Sequence, residues 1–174
     1  MPYAITLRLD AVSAGRVRAL WDALSAAGFT NGAAALGYAP HLTLAILPDS
    51  VDAADLIASV RRATTVWRAL PLHLAALAVF AGEPATLWLS PKVDEPLLRH
   101  HAALCAALPP LHHHYRPETW MPHVTLADDL AASAAGAAID VAANHFDPFA
   151  ATLDAIDVLR FRPIDLLWQA RLDT

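Results

Sequence analysis

Two six-residue segments, Pro40-His41-Leu42-Thr43-Leu44-Ala45 and Pro122-His123-Val124-Thr125-Leu126-Ala127, agree at five of six positions. In an extended strand, residues two apart share a face, so His41 lies beside Thr43 and His123 beside Thr125, with the leucines and Val124 facing the other way. Two imidazoles and two hydroxyls converging on one ligand suit a phosphoester. One imidazole can deprotonate an attacking water or hydroxyl while the other protonates the departing oxygen, because a histidine pKa of ~6.5 permits both roles near neutrality. The hydroxyls can hold the non-bridging oxygens. Positioning and charge-assisted hydrogen bonds carry such a scheme, so neither a metal nor any other cofactor is expected. Nothing in the segments says which histidine is the acid and which the base.

The elements that must position these groups repeat. His41 and His123 are 123 − 41 = 82 residues apart, and the same offset carries Ile5 onto Leu87. Tyr3 to Leu9 alternates as a half-buried strand does, and Val17, Leu20, Trp21, Leu24 and Ala27 recur at helical spacing before Gly28. A loop through Asn31-Gly32 leads to a motif strand from His41 to Leu47, a helix with Leu56, Ile57, Val60 and Ala63 inward, and a strand from Leu72 to Phe80. The order then begins again. Thr86 to Ser90 is a strand, and Asp94 caps a helix with Leu97, Leu98, His101, Leu104, Cys105 and Leu108 inward. After the second motif come a helix from about Leu130 to Ala143 and strands from Leu153 to Phe161 and Leu166 to Leu172. Each half reads strand, helix, motif strand, helix, strand. The expected fold is therefore α+β and bilobal: a pseudo-two-fold duplication with mostly antiparallel sheets flanking a central cleft. It forms one domain over 1–174, with repeat halves of approximately 1–82 and 83–174.

Composition bounds the ligand. With 56% apolar residues spread along 174 positions, the chain can bury a core, and disorder is excluded. The longest apolar run, Leu70 to Ala81, is about twelve residues and contains His73, short of the ~20 that a membrane helix needs. The N-terminus lacks the basic-then-apolar pattern of a secretory leader. The single cysteine, Cys105, allows no internal disulfide. A cytoplasmic monomer is expected, with no membrane partner. A formal charge of −5 argues against duplex DNA and long RNA, whose affinity comes from Lys and Arg neutralising many phosphates.

Other candidates are weighed against plainer readings. Tyr38 and Trp120 each precede a motif histidine by three residues, and either frame a nucleobase or staple the lobes. In the loop His112-His113-His114-Tyr115-Arg116, Tyr115 is a candidate for base stacking and Arg116 for a second phosphate. Consecutive histidines in an extended segment point in different directions, so the three are read as solvated rather than as a preformed metal site. Arg160 and Arg162 are read as surface ion-pair residues, His101 as a buried, hydrogen-bonded imidazole, and Cys105 as a small inert hydrophobe.

The paired Pro-His-Leu-Thr-Leu and Pro-His-Val-Thr-Leu strands resemble the His-x-Thr signatures of the 2H phosphoesterase superfamily, also called the 2′-5′ RNA ligase-like family, and the resemblance spans nearly the whole chain. It implies a bilobal α+β protein acting on a 2′,3′-cyclic phosphate or a 2′-5′ phosphodiester of a nucleotide or RNA end. By the resemblance, His41 and His123 are the catalytic acid and base, and Thr43 and Thr125 bind the phosphate. With 12 Lys and Arg against 17 Asp and Glu, the expectation moves from polymeric RNA to a small nucleotide or an RNA terminus. Two other readings fit the same residues: a reversible 2′-5′ RNA ligase, and a sensor that binds a phosphorylated nucleotide without turning it over.

Overall fold

The alternating segment at the start of the chain is β1 (Tyr3–Leu9), and the helical stripe after it is α1 (Ala11–Ala26). The computed structural model describes residues 1–161 and 163–173. The Asp10 carboxylate starts α1 by accepting hydrogen bonds from the Val12 and Ser13 amides at 2.9 and 3.1 Å. Its other oxygen accepts from the Thr152 amide at 3.0 Å, which ties the helix to a strand 142 residues away. Gly28, at φ +88°, lets the chain leave the helix through a conformation that side chains disfavour. Next come α2 (Gly32–Ala35), β2 (His41–Leu47), α3 (Ala53–Thr64) and β3 (Leu70–Phe80). The short α2 falls where a loop was expected; the Asn31 side chain nucleates it by accepting from the Ala34 amide at 2.8 Å.

The second half supplies β4 (Ala85–Pro91), α4 (Glu95–Ala106), β5 (Val124–Leu130), α5 (Ala135–Ala143), β6 (Phe149–Arg160) and β7 (Asp165–Arg171). Asp94 caps α4 as expected, accepting from the Leu97 amide at 3.0 Å. Leu98 is not inward: it is 46% exposed, because the buried stripe runs through Leu97, His101 and Leu104 and Leu98 sits about 100° around the helix from it. The helix expected from Leu130 begins only at Ala135, after a 3-10 turn over Ala132–Ala134.

The seven strands form one open sheet in which every pairing is antiparallel, ordered β2-β1-β6-β3-β4-β5, with β7 also pairing β6. The offset of 82 carries β1 onto β4, from Tyr3 over Ala85 to Leu9 over Pro91. Third strands are exchanged between the repeats, since β6 pairs β1 while β3 pairs β4. Replacing each strand by its repeat partner turns the order into its own reverse, as a two-fold relation requires. One consequence decides where the chemistry sits: β2 and β5, the two motif strands, are the two ends of that path, and they come into contact. The core includes the fully buried Leu7, Leu24, Leu42, Leu44, Leu87, Leu89 and Leu126.

Candidate functional site

Each motif strand pairs with its neighbour through an irregularity at the same repeat position. Ile5 faces Ala45 but Thr6 faces Thr43, so Leu44 is an extra residue; Leu87 faces Ala127 but Trp88 faces Thr125, so Leu126 is one too. Such a bulge breaks the alternation of faces. The burial patterns are accordingly identical over six positions: His41 and Thr43 are half-buried, Leu44 and Ala45 both buried, Ile46 half-buried, and His123 through Asp128 repeat this. Strict alternation keeps His41 and Thr43 together but misses Ile46 and Asp128, which the bulges return to the cleft side.

As end strands, β2 and β5 carry backbone carbonyls that the ladder leaves over, and a buried carbonyl needs a partner. The Trp120 indole donates to the Thr43 carbonyl at 3.0 Å, and the Trp21 indole donates to the Thr125 carbonyl at 3.0 Å. The Asn31 amide adds a bond to the Thr125 carbonyl at 3.1 Å, and His101 Nε2 donates to the Leu44 carbonyl at 3.0 Å. Each motif strand is thus held by an aromatic residue from the other half. The His101 ring stacks on Trp120 at 3.7 Å between centroids, so the expected buried, bonded imidazole is present and supports the strap.

The histidines are fixed alike. His41 Nδ1 lies 2.9 Å from the Ala39 carbonyl and His123 Nδ1 lies 2.7 Å from the Met121 carbonyl, positions again 82 apart. A carbonyl only accepts, so each Nδ1 carries its hydrogen and each Nε2 keeps the lone pair that a ligand can meet. Burial, helped by the nearby His123, lowers the pKa of His41 to about 4 against the opposing Ala39 bond. Burial also lowers that of His123, against the Met121 bond.

Their surroundings differ. Next to His41, with ring centroids 4.8 Å apart, stands Tyr38. Its hydroxyl donates to Asp157 Oδ2 at 2.6 Å and accepts from the Thr6 hydroxyl at 2.7 Å. Arg8 Nε pairs with the same carboxylate oxygen at 2.8 Å. Burial, with Asp157 beside it, pushes the Tyr38 hydroxyl well above its ordinary pKa, so it stays protonated. His123 instead meets the edges and faces of Phe80 and Trp88, at 5.0 and 5.6 Å between centroids.

His41, Thr43, His123 and Thr125 all line one cavity of about 240 Å³, with Tyr38, Thr6 and Tyr115 in its wall. His123, Thr125, Tyr115, Ile46 and Asp128 also line a cavity of about 830 Å³ that includes Phe80, Trp120 and Met121, so the two spaces form one cleft. Asp128 is engaged at its base, accepting from the Gly32 amide at 2.7 Å. Among the described residues, no Lys or Arg lines either space. Arg116 is exposed and lines a separate depression with Leu108, Pro109 and Glu118. Arg160 stays at the surface, donating to the Tyr3 hydroxyl at 3.0 Å; Arg162 lies outside the described residues. Burial pushes the Cys105 thiol up to about 11, which suits its reading as inert. The sequence offered no signal for Thr6, which lines the cleft, or for Asp157, which lies buried behind the Tyr38 hydroxyl.

The fold has known counterparts. At 17% identity, the fold matches that of E. coli LigT in its apo form, covering 99% of this chain and 98% of that one with a TM-score of 0.66. The structure of E. coli LigT complexed with 3′-AMP matches at 17% identity, 99% and 97% coverage and a TM-score of 0.65. TT0787 of Thermus thermophilus matches at 16% identity, 99% and 98% coverage and a TM-score of 0.66. No curated protein matches the sequence. Among the described residues, no helix is long and apolar enough to cross a membrane. The model of the 2′-5′ RNA ligase superfamily matches residues 6–163, a span that holds both His-x-Thr strands, and the chain belongs to that superfamily of 2H phosphoesterases.

Proposed function

We infer that the chain is a metal-independent phosphoesterase that opens the 2′,3′-cyclic phosphate, or cleaves the 2′-5′ phosphodiester, of a small nucleotide or an RNA end. The observation that carries this reading is the convergence of both His-x-Thr pairs on one cavity, each imidazole with Nδ1 tied to a carbonyl and Nε2 left for a ligand. Hydrolysis of a cyclic phosphate then needs one proton removed and one supplied. His41, neutral down to about pH 4, takes the proton of the attacking water as the water oxygen bonds to phosphorus. His123, in the imidazolium form that carries a second proton on Nε2, gives that proton to the ribose oxygen as the bond between that oxygen and phosphorus breaks. Thr43 and Thr125 donate to the non-bridging oxygens, whose charge grows as the water adds. Tyr38, Tyr115 and Trp120 line the spaces beside them, where nucleoside contacts are expected.

The cleft favours a small ligand. The larger of its two spaces, about 830 Å³, falls in the range of small-molecule pockets, and a formal charge of −5 disfavours holding a long polyanion. The fold of E. coli LigT, which has been crystallised with 3′-AMP, accommodates a ribose 3′-phosphate, the kind of product that opening a cyclic phosphate leaves. The test is a panel of nucleoside 2′,3′-cyclic phosphates and 2′-5′ dinucleotides, with and without chelator. Monophosphate product at equal rates in both conditions is expected; affinity without product identifies a sensor, and loss of product with chelator removes metal independence.

The pH profile follows from the two shifts. In the free protein the base must be neutral and the acid protonated. The acid limb of kcat/KM is therefore expected near pH 4, where His41 titrates, and the alkaline limb below 6.5, since burial holds His123 under its ordinary value. A profile of kcat/KM still rising above pH 7 contradicts this assignment.

A further inference from the structure

We propose that His112, His113 and His114 form a binding site for a borderline divalent cation of the Zn²⁺ class at the rim of the cleft. Read as an extended loop, three consecutive histidines diverge. The chain does not run extended here: it closes into a 3-10 turn over His113–Tyr115, in which the Tyr115 amide donates to the His112 carbonyl at 2.9 Å. The rings gather as a result, with centroids 4.6 Å apart for His112 and His113, 5.1 Å for His112 and His114, and 3.7 Å for His113 and His114. One nitrogen from each lies within 4.8 Å of the others.

The distance to ligation is short. Zinc bonds imidazole nitrogen at ~2.0–2.1 Å, which sets tetrahedral donors ~3.4 Å apart. All three side chains are exposed, so closing the remaining gap takes side-chain rotations that solvent leaves room for. The backbone is meanwhile held: the His112 amide donates to the Ile46 carbonyl of β2 at 3.1 Å, and the Thr119 hydroxyl bonds the His113 carbonyl. A fixed turn spares the backbone entropy of binding and leaves only side-chain rotamers to order. Neutral imidazoles are preferred donors for Zn²⁺, Ni²⁺ and Cu²⁺ and poor ones for Mg²⁺ or Ca²⁺. Three donors leave a coordination position for water or an anionic oxygen. His112 and His114 also line the larger cavity, whose wall His123 shares, so the bound cation stands on the wall of the cleft, held by residues that the proposed reaction does not use.

The test is calorimetric titration of the full chain, carrying no affinity tag, with zinc chloride. One saturable site is expected, and the double substitution His113→Ala/His114→Ala weakens it by at least about tenfold, with an unchanged melting temperature in the absence of metal. His145→Ala, elsewhere on the surface, and His123→Ala, in the catalytic pair, keep the parent affinity. The proposal is overturned by the absence of saturable uptake, by retention of full affinity in the double variant, or by its loss in His123→Ala, which would place the cation in the cleft itself.

Discussion

His41→Ala and His123→Ala are each expected to lower turnover of a nucleoside 2′,3′-cyclic phosphate by about 10²–10⁴-fold, the usual contribution of one general acid or base. Combining them is expected to cost little more than the worse single change, because both act on one transition state and their effects do not add. The fold should survive. Each imidazole is half-buried on the cleft side of its strand and bonds a carbonyl two residues back, so removal opens space towards the cleft rather than within the core. Steady-state kinetics beside thermal melts separates the two effects. Unchanged turnover in both variants sinks the two-histidine reading; a collapse of the melting temperature assigns the loss to folding instead.

The part of this site that two-residue periodicity encodes was legible in the sequence. His41 with Thr43 and His123 with Thr125 share faces because the bulges come after them, at Leu44 and Leu126. Beyond that point the pattern misleads: Ile46 and Asp128 reach the cleft only because an extra residue shifts the pleat, and no composition cue marks a bulge in a run of Leu and Ala. The offset of 82 revealed the duplication yet was silent on the exchange of β3 and β6, since a strand's sequence records that it is buried and not which neighbour buries it. Asp157 and Thr6 were invisible for another reason. Their repeat counterparts are Ala75 and Trp88, so neither appears in a search for what the halves share.

What the halves do not share is what distinguishes the two histidines. The duplicated strand, bulge and carbonyl contact produce two imidazoles in one tautomer, and symmetry alone would leave them equal. Divergence occurs in the surroundings: Tyr38 stands beside the first, backed by Thr6, Asp157 and Arg8, and Phe80 and Trp88 stand beside the second. The Tyr38 hydroxyl, spent on Asp157 and too high in pKa to ionise, offers His41 a rigid neutral neighbour rather than a counter-charge. Desolvation outweighs the opposing Ala39 bond and keeps His41 unprotonated, which is the state a base needs.

Trp120→Ala is expected to cost about 3–5 kcal/mol of folding stability, the range for deleting a large buried aromatic side chain. Trp120 is 7% exposed, its ring lies on His101, and its N–H satisfies the Thr43 carbonyl on an end strand. Losing the ring opens a cavity, unstacks His101 and deprives that carbonyl of its indole donor. Trp120→Phe retains an aromatic face but no N–H, so about 1–3 kcal/mol, the penalty for an unsatisfied buried carbonyl, is expected. Urea unfolding reads both as lower midpoints at unchanged slope. The position also tests what the residue is for. If Trp120 served chiefly as a platform for the nucleobase, the alanine variant would keep its stability within about 1 kcal/mol, as surface changes do, and raise KM alone. A strap predicts the reverse: stability falls first, and kcat falls with it, because Thr43 and His41 lie on the strand that the indole holds against the opposite half.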